Sequence, residues 1–109
     1  MRPLYFAQSK SDILPASHPE LERLRDLLKE NPGIHIAVEG HTDDLGQPDD
    51  LLHLSEIRAQ SVRRYLIDAG IDAARMEAKG FGNARPLNDN STDELRSQNR
   101  RVEVRVTKL

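Results

Sequence analysis

The sequence predicts an α/β fold, a two-layer sandwich in which the helices pack on one face of a mixed four-stranded sheet. Segments in which apolar and polar residues alternate, a pattern typical of half-buried strands, are interleaved with segments whose apolar residues recur every three or four positions, a pattern typical of helices. Their order is β-α-β-α-β-(α)-β, without an internal repeat. Because strands and helices alternate along the chain, the helices are expected to cover the sheet.

The amino-terminal half is predicted to hold two strands and the helix between them. The apolar run PLYFA, residues 3–7, indicates the first strand. Ser17 and Glu20 have the spacing of a capping box, and the helix that follows is expected to run to about Glu30. After the turn NPG, residues 34–40 alternate between apolar and polar side chains, which predicts a half-buried strand.

A longer second helix is expected from about Asp50 to Ala69, with Asp49 or Asp50 as its N-cap and Gly70 just past its end. On a helical wheel its apolar residues share one face, and Arg58 falls within that face. An arginine keeps its proton, so a guanidinium that points at the sheet needs a carboxylate, other acceptors or an opening to water. We therefore expect an anionic group near Arg58.

The carboxy-terminal part is predicted to hold a strand, a short helix and a last strand. Residues 75–79 give a weak strand signal, and TDELRSQN, residues 92–99, indicates a short helix. In RRVEVRVTK, residues 100–108, valines alternate with mostly charged residues, which predicts a strand with one solvated face. Arg101 is expected to lie on that solvated face.

The composition excludes several classes of function. A chain of 109 residues with 37% hydrophobic and 31% charged residues suits one compact domain with a modest core. Its 16 basic and 18 acidic residues are mixed along the chain, and only two Phe, two Tyr and no Trp are present, so nucleic acid is not an expected partner. The absence of cysteine excludes disulfides and thiolate chemistry. No cofactor is expected.

The chain offers no membrane-spanning stretch and no secretory signal. No apolar run approaches the roughly 18 residues of a membrane span, so no membrane contact by this domain itself is expected. The amino end lacks the apolar core and the cleavage site of a signal peptide. We expect residues 1–109 to be a single domain of a longer exported or membrane-anchored protein.

The loop GHTDDLG, residues 40–46, supplies carboxylates that could meet Arg58. Asp43 and Asp44 lie between the central strand and the second helix, so they are expected near the first turns of that helix. Two interpretations are open: a structural Asp–Arg salt bridge that closes the loop, and a cleft with one fixed negative and one fixed positive group. Such a cleft suits a zwitterionic ligand, with its carboxylate on the arginine and its ammonium on the aspartate.

Metal binding and catalysis are weaker interpretations of the same loop. His41, Asp43, Asp44 and His53 are of types that bind zinc, but their spacing matches no tight metal signature, so no metal is expected. A hydrolase would need a second carboxylate beside Asp43, yet adjacent carboxylates in an extended stretch point apart. No catalytic residue is expected, and the protein is not predicted to be an enzyme.

Four separated segments of the chain closely resemble the OmpA-like carboxy-terminal domain. They are VEGHTDDLG, LSEIRAQSVRRYLIDAGI, AKGFGNARPLNDN and RSQNRRVEVRV, in that order, and the resemblance covers nearly the whole chain. The family includes the peptidoglycan-associated lipoprotein and the flagellar motor stator domain. The resemblance implies a periplasmic, Gram-negative envelope domain that binds peptidoglycan non-covalently through the diaminopimelate of its stem peptide. It also implies that the domain anchors an outer- or inner-membrane protein to the cell wall.

The resemblance assigns roles to particular residues. Asp43 corresponds to the aspartate of the HTD motif, which meets the diaminopimelate amine, and Arg58 to the arginine of LSxxRA, which meets its carboxylate. Thr42 is implied as a backbone or hydroxyl contact, and Arg100 matches a family arginine near the same pocket. Phe6 matches the aromatic residue of the first strand.

Two departures from the family pattern lie near the expected pocket. Leu51 stands where many relatives have an asparagine that helps hold the ligand, and Ala7 stands where relatives often have an aspartate. We therefore expect affinity or ligand choice to differ from those relatives. The alternative is a structural or protein-interaction domain that has kept the fold and lost peptidoglycan binding.

Overall fold

The computed structural model describes residues 2–109 and confirms the predicted α/β class; residue 1, where the predicted domain begins, lies outside the described residues. Strands and helices alternate as the sequence patterns predict. No helix within the described range is long and apolar enough to cross a membrane. The elements are β1 (Leu4–Tyr5), α1 (His18–Glu30), β2 (His35–Gly40), α2 (Pro48–Asp68), β3 (Met76–Gly80), α3 (Asp93–Asn99) and β4 (Arg101–Lys108).

The four strands form one mixed sheet in the order β1-β4-β2-β3. The central strand β2 pairs parallel with β3 and antiparallel with β4, and β1 pairs antiparallel with β4. Gly40, the last residue of β2, pairs with Gly80 on one side and with Val102 on the other. The ends of β2 and β3 therefore meet the start of β4 at one edge of the sheet, which we call the loop edge.

The hydrophobic core lies between the sheet and the two longer helices. Ile36 and Val38 of β2 are buried, as the strand periodicity predicts, and Ala37 between them, which the periodicity places on the other face, is buried as well. The helices contribute residues spaced three or four apart, so each presents one apolar stripe. The core residues from the helices are Leu21, Leu24 and Leu28 of α1 and Ala59, Val62 and Leu66 of α2.

Two helix caps differ from the sequence predictions. Ser17 precedes α1, but its hydroxyl makes no cap hydrogen bond and instead accepts from the backbone N of Tyr5 at 3.0 Å, so it ties β1 to the start of the helix. The second helix begins at Pro48 with Gln47 as N-cap, earlier than the predicted aspartates. Proline suits this place because the first N–H groups of a helix have no partner within the helix.

Arg101 is buried, and the prediction that it lies on a solvated strand face is wrong. It is 2% exposed, its Nη2 donates to the carbonyl of Arg85 at 2.9 Å, and its Nε pairs with Glu103 at 2.5 Å. The segment that carries Arg85 covers this end of β4. Alternation within a strand gives no information about a loop that returns over the strand from elsewhere in the chain.

Two glycines at the loop edge allow α2 to pack closely on the sheet. A Cβ atom on Gly40 would collide with the backbone carbonyl of Ser55, and one on Gly80 would collide with the Ser55 side chain and the backbone of Glu56. The Ser55 hydroxyl donates to the carbonyl of Leu52 at 2.7 Å and accepts from the backbone N of Gly82 at 2.9 Å. Ser55 is thus a packing and hydrogen-bonding residue at the helix–sheet contact.

We expect Gly40→Ala to destabilise the domain by about 1–3 kcal/mol, because the added methyl group meets helix backbone, which cannot move aside as a flexible side chain can. Gly33→Ala is the matched control. Nothing lies within 4 Å of a Cβ at Gly33, so its free energy of unfolding should be unchanged or slightly raised. Urea unfolding of the wild type and of the two variants measures the three free energies of unfolding. Equal stability of the two variants would contradict the close approach of α2.

Candidate ligand-binding site

The loop after β2 leaves the loop edge with its first three residues buried. His41, Thr42 and Asp43 are 3%, 2% and 3% exposed, respectively. The backbone N of Thr42 donates to the carbonyl of Gly82 at 2.9 Å, which fixes the loop to the turn that follows β3. Asp43 is therefore held inside the protein by the backbone on which it sits.

The Asp43 carboxylate is bonded within its own loop and to Arg100. Its Oδ1 accepts from the backbone N of Leu45 at 3.1 Å, and its Oδ2 accepts from Nη1 of Arg100 at 3.0 Å. The two side chains are 4% and 14% exposed, so this ion pair is largely sheltered from water. The Thr42 hydroxyl donates to the carbonyl of Asp43 at 2.8 Å and so helps to set the loop conformation.

Arg58 is fully buried, and three backbone carbonyls receive its guanidinium. Nε donates to Lys10 at 2.9 Å, Nη1 to His41 at 3.1 Å, and Nη2 to Ala7 at 2.9 Å. The guanidinium carbon lies 5.3 Å from the centre of the Phe6 ring, within the range of a cation–π contact. The helical-wheel prediction that Arg58 points inward is confirmed by its burial.

A direct salt bridge between Asp43 and Arg58, one of the two interpretations of the sequence, is not formed within residues 2–109. The ion-pair partner of Asp43 is Arg100, and Arg58 uses carbonyl groups instead. Burial lowers the pKa of Arg58 to about 10, with the charge of Asp43 acting against this change and that of Arg100 adding to it. Arg58 therefore stays protonated at neutral pH.

The sheltered charges in the group formed by Asp43, Arg58 and Arg100 do not balance. Arg58 and Arg100 carry two positive charges against the single negative charge of Asp43. Three of the five N–H donors of Arg58 are bonded to carbonyls, which leaves one N–H on each Nη atom. Such an arrangement suits an added anion, and a carboxylate fits a guanidinium best.

The remaining residues assigned by resemblance lie around this group. Phe6 is a core residue, 1% exposed, whose ring flanks Arg58. Leu51, in the first turns of α2, is buried and lies against Gly46 of the loop. The structure brings the assigned residues to one region, and their contact with a ligand stays a prediction.

His41 turns its side chain toward a different set of residues. Its ring stacks on Phe81 with 5.5 Å between centroids, and its Nε2 lies 3.8 Å from Oε2 of Glu103. Its Nδ1 has no hydrogen-bond partner within the part of the chain that the structure describes. Burial and, next, the charge of Arg101 lower the pKa of His41 to about 4, so the ring is neutral at neutral pH.

The geometry of residues 2–109 does not match the metal-binding or the hydrolase interpretation of this loop. Across residues 2–109 no three histidine, aspartate or glutamate side chains are grouped so that they could hold a metal ion, and His53 is exposed on α2. Asp44 is exposed, whereas the Asp43 carboxylate is buried and bonded to the backbone N of Leu45 and to Arg100.

The family model for the OmpA family matches residues 5–100. The chain belongs to the OmpA family. This OmpA-family chain is 40% identical to outer membrane porin F of Pseudomonas aeruginosa over 102 residues, 93% of the chain and 29% of the porin. It is 34% identical to the peptidoglycan-binding protein ArfA of Mycobacterium tuberculosis over 104 residues, 95% of the chain and 32% of ArfA. It thus spans about a third of these relatives.

Among solved structures, the peptidoglycan-associated lipoprotein from Burkholderia pseudomallei has the same fold, with a TM-score of 0.92 and 30% identity. The match covers 98% of this chain and 91% of the lipoprotein chain. The resemblance seen in the sequence motifs is thereby confirmed at the level of family and fold.

Sequence reasoning missed the carbonyl groups that hold Arg58. Ala7 and Lys10 contribute only backbone oxygens, and a carbonyl is present at every residue, so no sequence pattern marks them. It also did not pair Asp43 with Arg100, although both were named as site residues. The pairing follows from the sheet order, because β4 lies beside β2 and Arg100 directly precedes β4.

We expect the domain to lose stability as the pH falls from about 6.5 to about 4. The pKa of His41 is about 4 in the folded protein against an ordinary value of 6.5, so between these values the unfolded chain binds the proton and folding is disfavoured. The loss should be about 1–3 kcal/mol.

Two variants isolate the contribution of His41 from that of the carboxylates. His41→Gln should flatten the pH dependence of the free energy of unfolding, whereas His53→Gln, at an exposed position, should leave it as in the wild type. Urea unfolding at pH 7, 5.5 and 4.5 measures both. An unchanged slope in His41→Gln would show that His41 titrates normally.

Proposed function

We propose that this domain binds peptidoglycan reversibly and non-covalently, through the diaminopimelate side chain of the stem peptide. The observation that carries the proposal is the buried Asp43 beside two guanidinium groups at the loop edge. Membership in the OmpA family supports it, because ArfA is named a peptidoglycan-binding protein and the lipoprotein a peptidoglycan-associated one.

The end of a diaminopimelate side chain carries an ammonium and a carboxylate on one carbon atom. Asp43 provides the negative group for the ammonium, and Arg58 the positive group for the carboxylate. The excess positive charge of the site favours a ligand that brings a carboxylate. A lysine side chain, which ends in an ammonium alone, meets only half of this pattern.

Burial gives these groups more binding strength than surface charges have. An exposed ion pair contributes about 0–1 kcal/mol, whereas a hydrogen bond to a charged group contributes about 1.5–3 kcal/mol. Asp43 and Arg58 are 3% and 0% exposed. Sheltered bonds to both ends of the zwitterion therefore supply useful affinity.

The site supports binding in preference to catalysis. The Ser55 hydroxyl is occupied by Leu52 and Gly82, so it is not poised as a nucleophile. The His41 ring lies against Phe81, and within residues 2–109 it has no hydroxyl group as a partner. We infer an anchoring role in the periplasm as part of an outer- or inner-membrane protein, with peptidoglycan as the partner.

A ligand reaches Arg58 only if the chain segment between β1 and α1 moves away from the guanidinium. Ala7 and Lys10 cover the guanidinium with their carbonyls, and Ser9 between them has a φ of +60°, an unfavourable value for a residue other than glycine. An incoming carboxylate takes up the remaining N–H donors of Arg58 or replaces one of these carbonyls. Relief of the strain at Ser9 favours this replacement.

The second candidate function is a structural or protein-interaction domain without a ligand. Two observations favour it: Arg58 is 0% exposed with all three nitrogen atoms bonded, and the buried Leu51 offers no polar group to a ligand. The two candidates differ in whether the loop edge responds to a stem peptide.

We expect Asp43→Asn to weaken binding of the tripeptide L-Ala-γ-D-Glu-meso-diaminopimelate about 10- to 100-fold, because the amide cannot provide the charge that the ammonium needs. Asp44→Asn removes the same charge from the exposed neighbour and should bind as the wild type does. Isothermal titration calorimetry gives the three dissociation constants. If the wild type does not bind the tripeptide, the structural alternative holds.

The same tripeptide with lysine in place of diaminopimelate should bind at least about tenfold more weakly to the wild type, because it lacks the carboxylate proposed for Arg58. Amide shifts of residues 42–44, recorded by NMR during both titrations, locate the response. Equal affinity for the two tripeptides would refute the role given to Arg58.

A further inference from the structure

Arg100 holds the position on Asp43 that an incoming ammonium needs. Its Nη1 lies 3.0 Å from Oδ2 of Asp43, while Oδ1 is bonded to the backbone N of Leu45. The carboxylate is 96% buried by side-chain area, since the side chain is 4% exposed. Little room is left around it, so an ammonium and the guanidinium compete for the same oxygen.

We propose that Arg100 is an internal substitute for the ligand's ammonium, which leaves Asp43 when the ligand binds. The inference rests on the proposed function and adds a step to it: binding exchanges one cation for another on a buried carboxylate. In the free domain, Arg100 pairs with the buried Asp43 carboxylate, so the free-energy cost of an unpaired buried charge is avoided. Arg100 is thereby a residue that sets specificity for a charged amine.

Arg100 is much less firmly tethered than the two buried arginines, Arg58 and Arg101. Arg58 donates to three carbonyls at 2.9–3.1 Å, and Arg101 to two carbonyls and a carboxylate. Among residues 2–109, the Arg100 side chain has one hydrogen bond besides that to Asp43, a long one from Nε to the carbonyl of Phe6 at 3.4 Å. Its side chain is also 14% exposed, so one end already meets solvent.

The structure provides space for the released guanidinium. A cavity of about 490 Å³ lies beside Arg100, between the end of β1 and α3. Most of its lining is apolar, but the side-chain amides of Gln8 and Gln98 also line it, and their oxygen atoms can accept from a guanidinium. A rotation of the Arg100 side chain into this cavity frees Oδ2 of Asp43 without a change in the sheet.

The exchange makes the ammonium group decisive for Asp43. A ligand whose amine is missing or acetylated carries no positive charge and leaves Arg100 in place. A charged amine forms an ion pair with Asp43, but the ion pair between Asp43 and Arg100 is lost. Only the difference between the two free energies contributes to affinity. Removing Arg100 should therefore increase the affinity that the ammonium contributes.

The experiment compares two peptides, the diaminopimelate tripeptide and an analogue in which hydrogen replaces the ammonium at the end of the diaminopimelate side chain. The dissociation constant of the analogue divided by that of the tripeptide measures the ammonium contribution. Any attraction between Arg100 and the ligand carboxylates cancels in this ratio. We expect the ratio to rise about three- to tenfold in Arg100→Gln, the strength of a partly sheltered ion pair.

Two further variants complete the comparison. Arg64→Gln removes one positive charge from an exposed arginine on α2 whose ion pair is with Asp68, and should keep the wild-type ratio. Arg100→Lys retains a competing cation and should stay near the wild-type ratio. A ratio in Arg100→Gln that is equal to or below that of the wild type overturns the exchange. If no variant binds either peptide, the proposed function itself fails and the exchange fails with it.

Discussion

The burial of the Arg58 guanidinium is the constraint on which the rest of the loop edge depends. A guanidinium cannot be neutralised at neutral pH, and leaving it without acceptors in the core would cost several kcal/mol, about 3–5 for a broken buried pair. The fold meets this cost with carbonyl groups of Ala7, Lys10 and His41. The first of these chain segments follows β1, the last follows β2, and Arg58 itself lies on α2, so one side chain joins three elements that are far apart in sequence.

The depth at which Arg58 enters the site is set by the glycines of the neighbouring strands. Gly40 and Gly80 bring α2 onto the sheet at Ser55, one turn before Arg58. With larger residues the helix would stand further out, and the carbonyl of His41 would be beyond the reach of the guanidinium. Close packing at one turn therefore positions the charged group at the next, and with it the loop that carries Asp43.

Much of the fold could be predicted from the sequence, because each helix or strand depends on the pattern of residues close together in the chain. The valines of β4 alternate and the leucines of α1 recur at helical spacing, so the elements and the inward position of Arg58 followed from periodicity. The acceptors of Arg58 and the burial of Arg101 could not be predicted, because backbone carbonyls and a covering loop leave no pattern in the residues that they contact. The capping hydrogen bond of α1 could not be predicted for a related reason: Ser17 precedes the helix as expected, but its hydroxyl has another partner in the backbone of Tyr5.

Under the proposed exchange, a site whose charged groups already have hydrogen-bond partners gains only the difference between new and old bonds, and this limits affinity for a single stem peptide. In that proposal a new bond to Asp43 replaces the one to Arg100, and a carboxylate on Arg58 uses its remaining N–H donors or replaces a carbonyl. For an anchoring domain this is sufficient. Peptidoglycan is a polymer that presents many copies of the same stem peptide, and a domain tethered near it rebinds at high effective concentration. In the proposed anchoring role, weak single contacts hold the protein at the wall and still allow it to move from one peptide to the next.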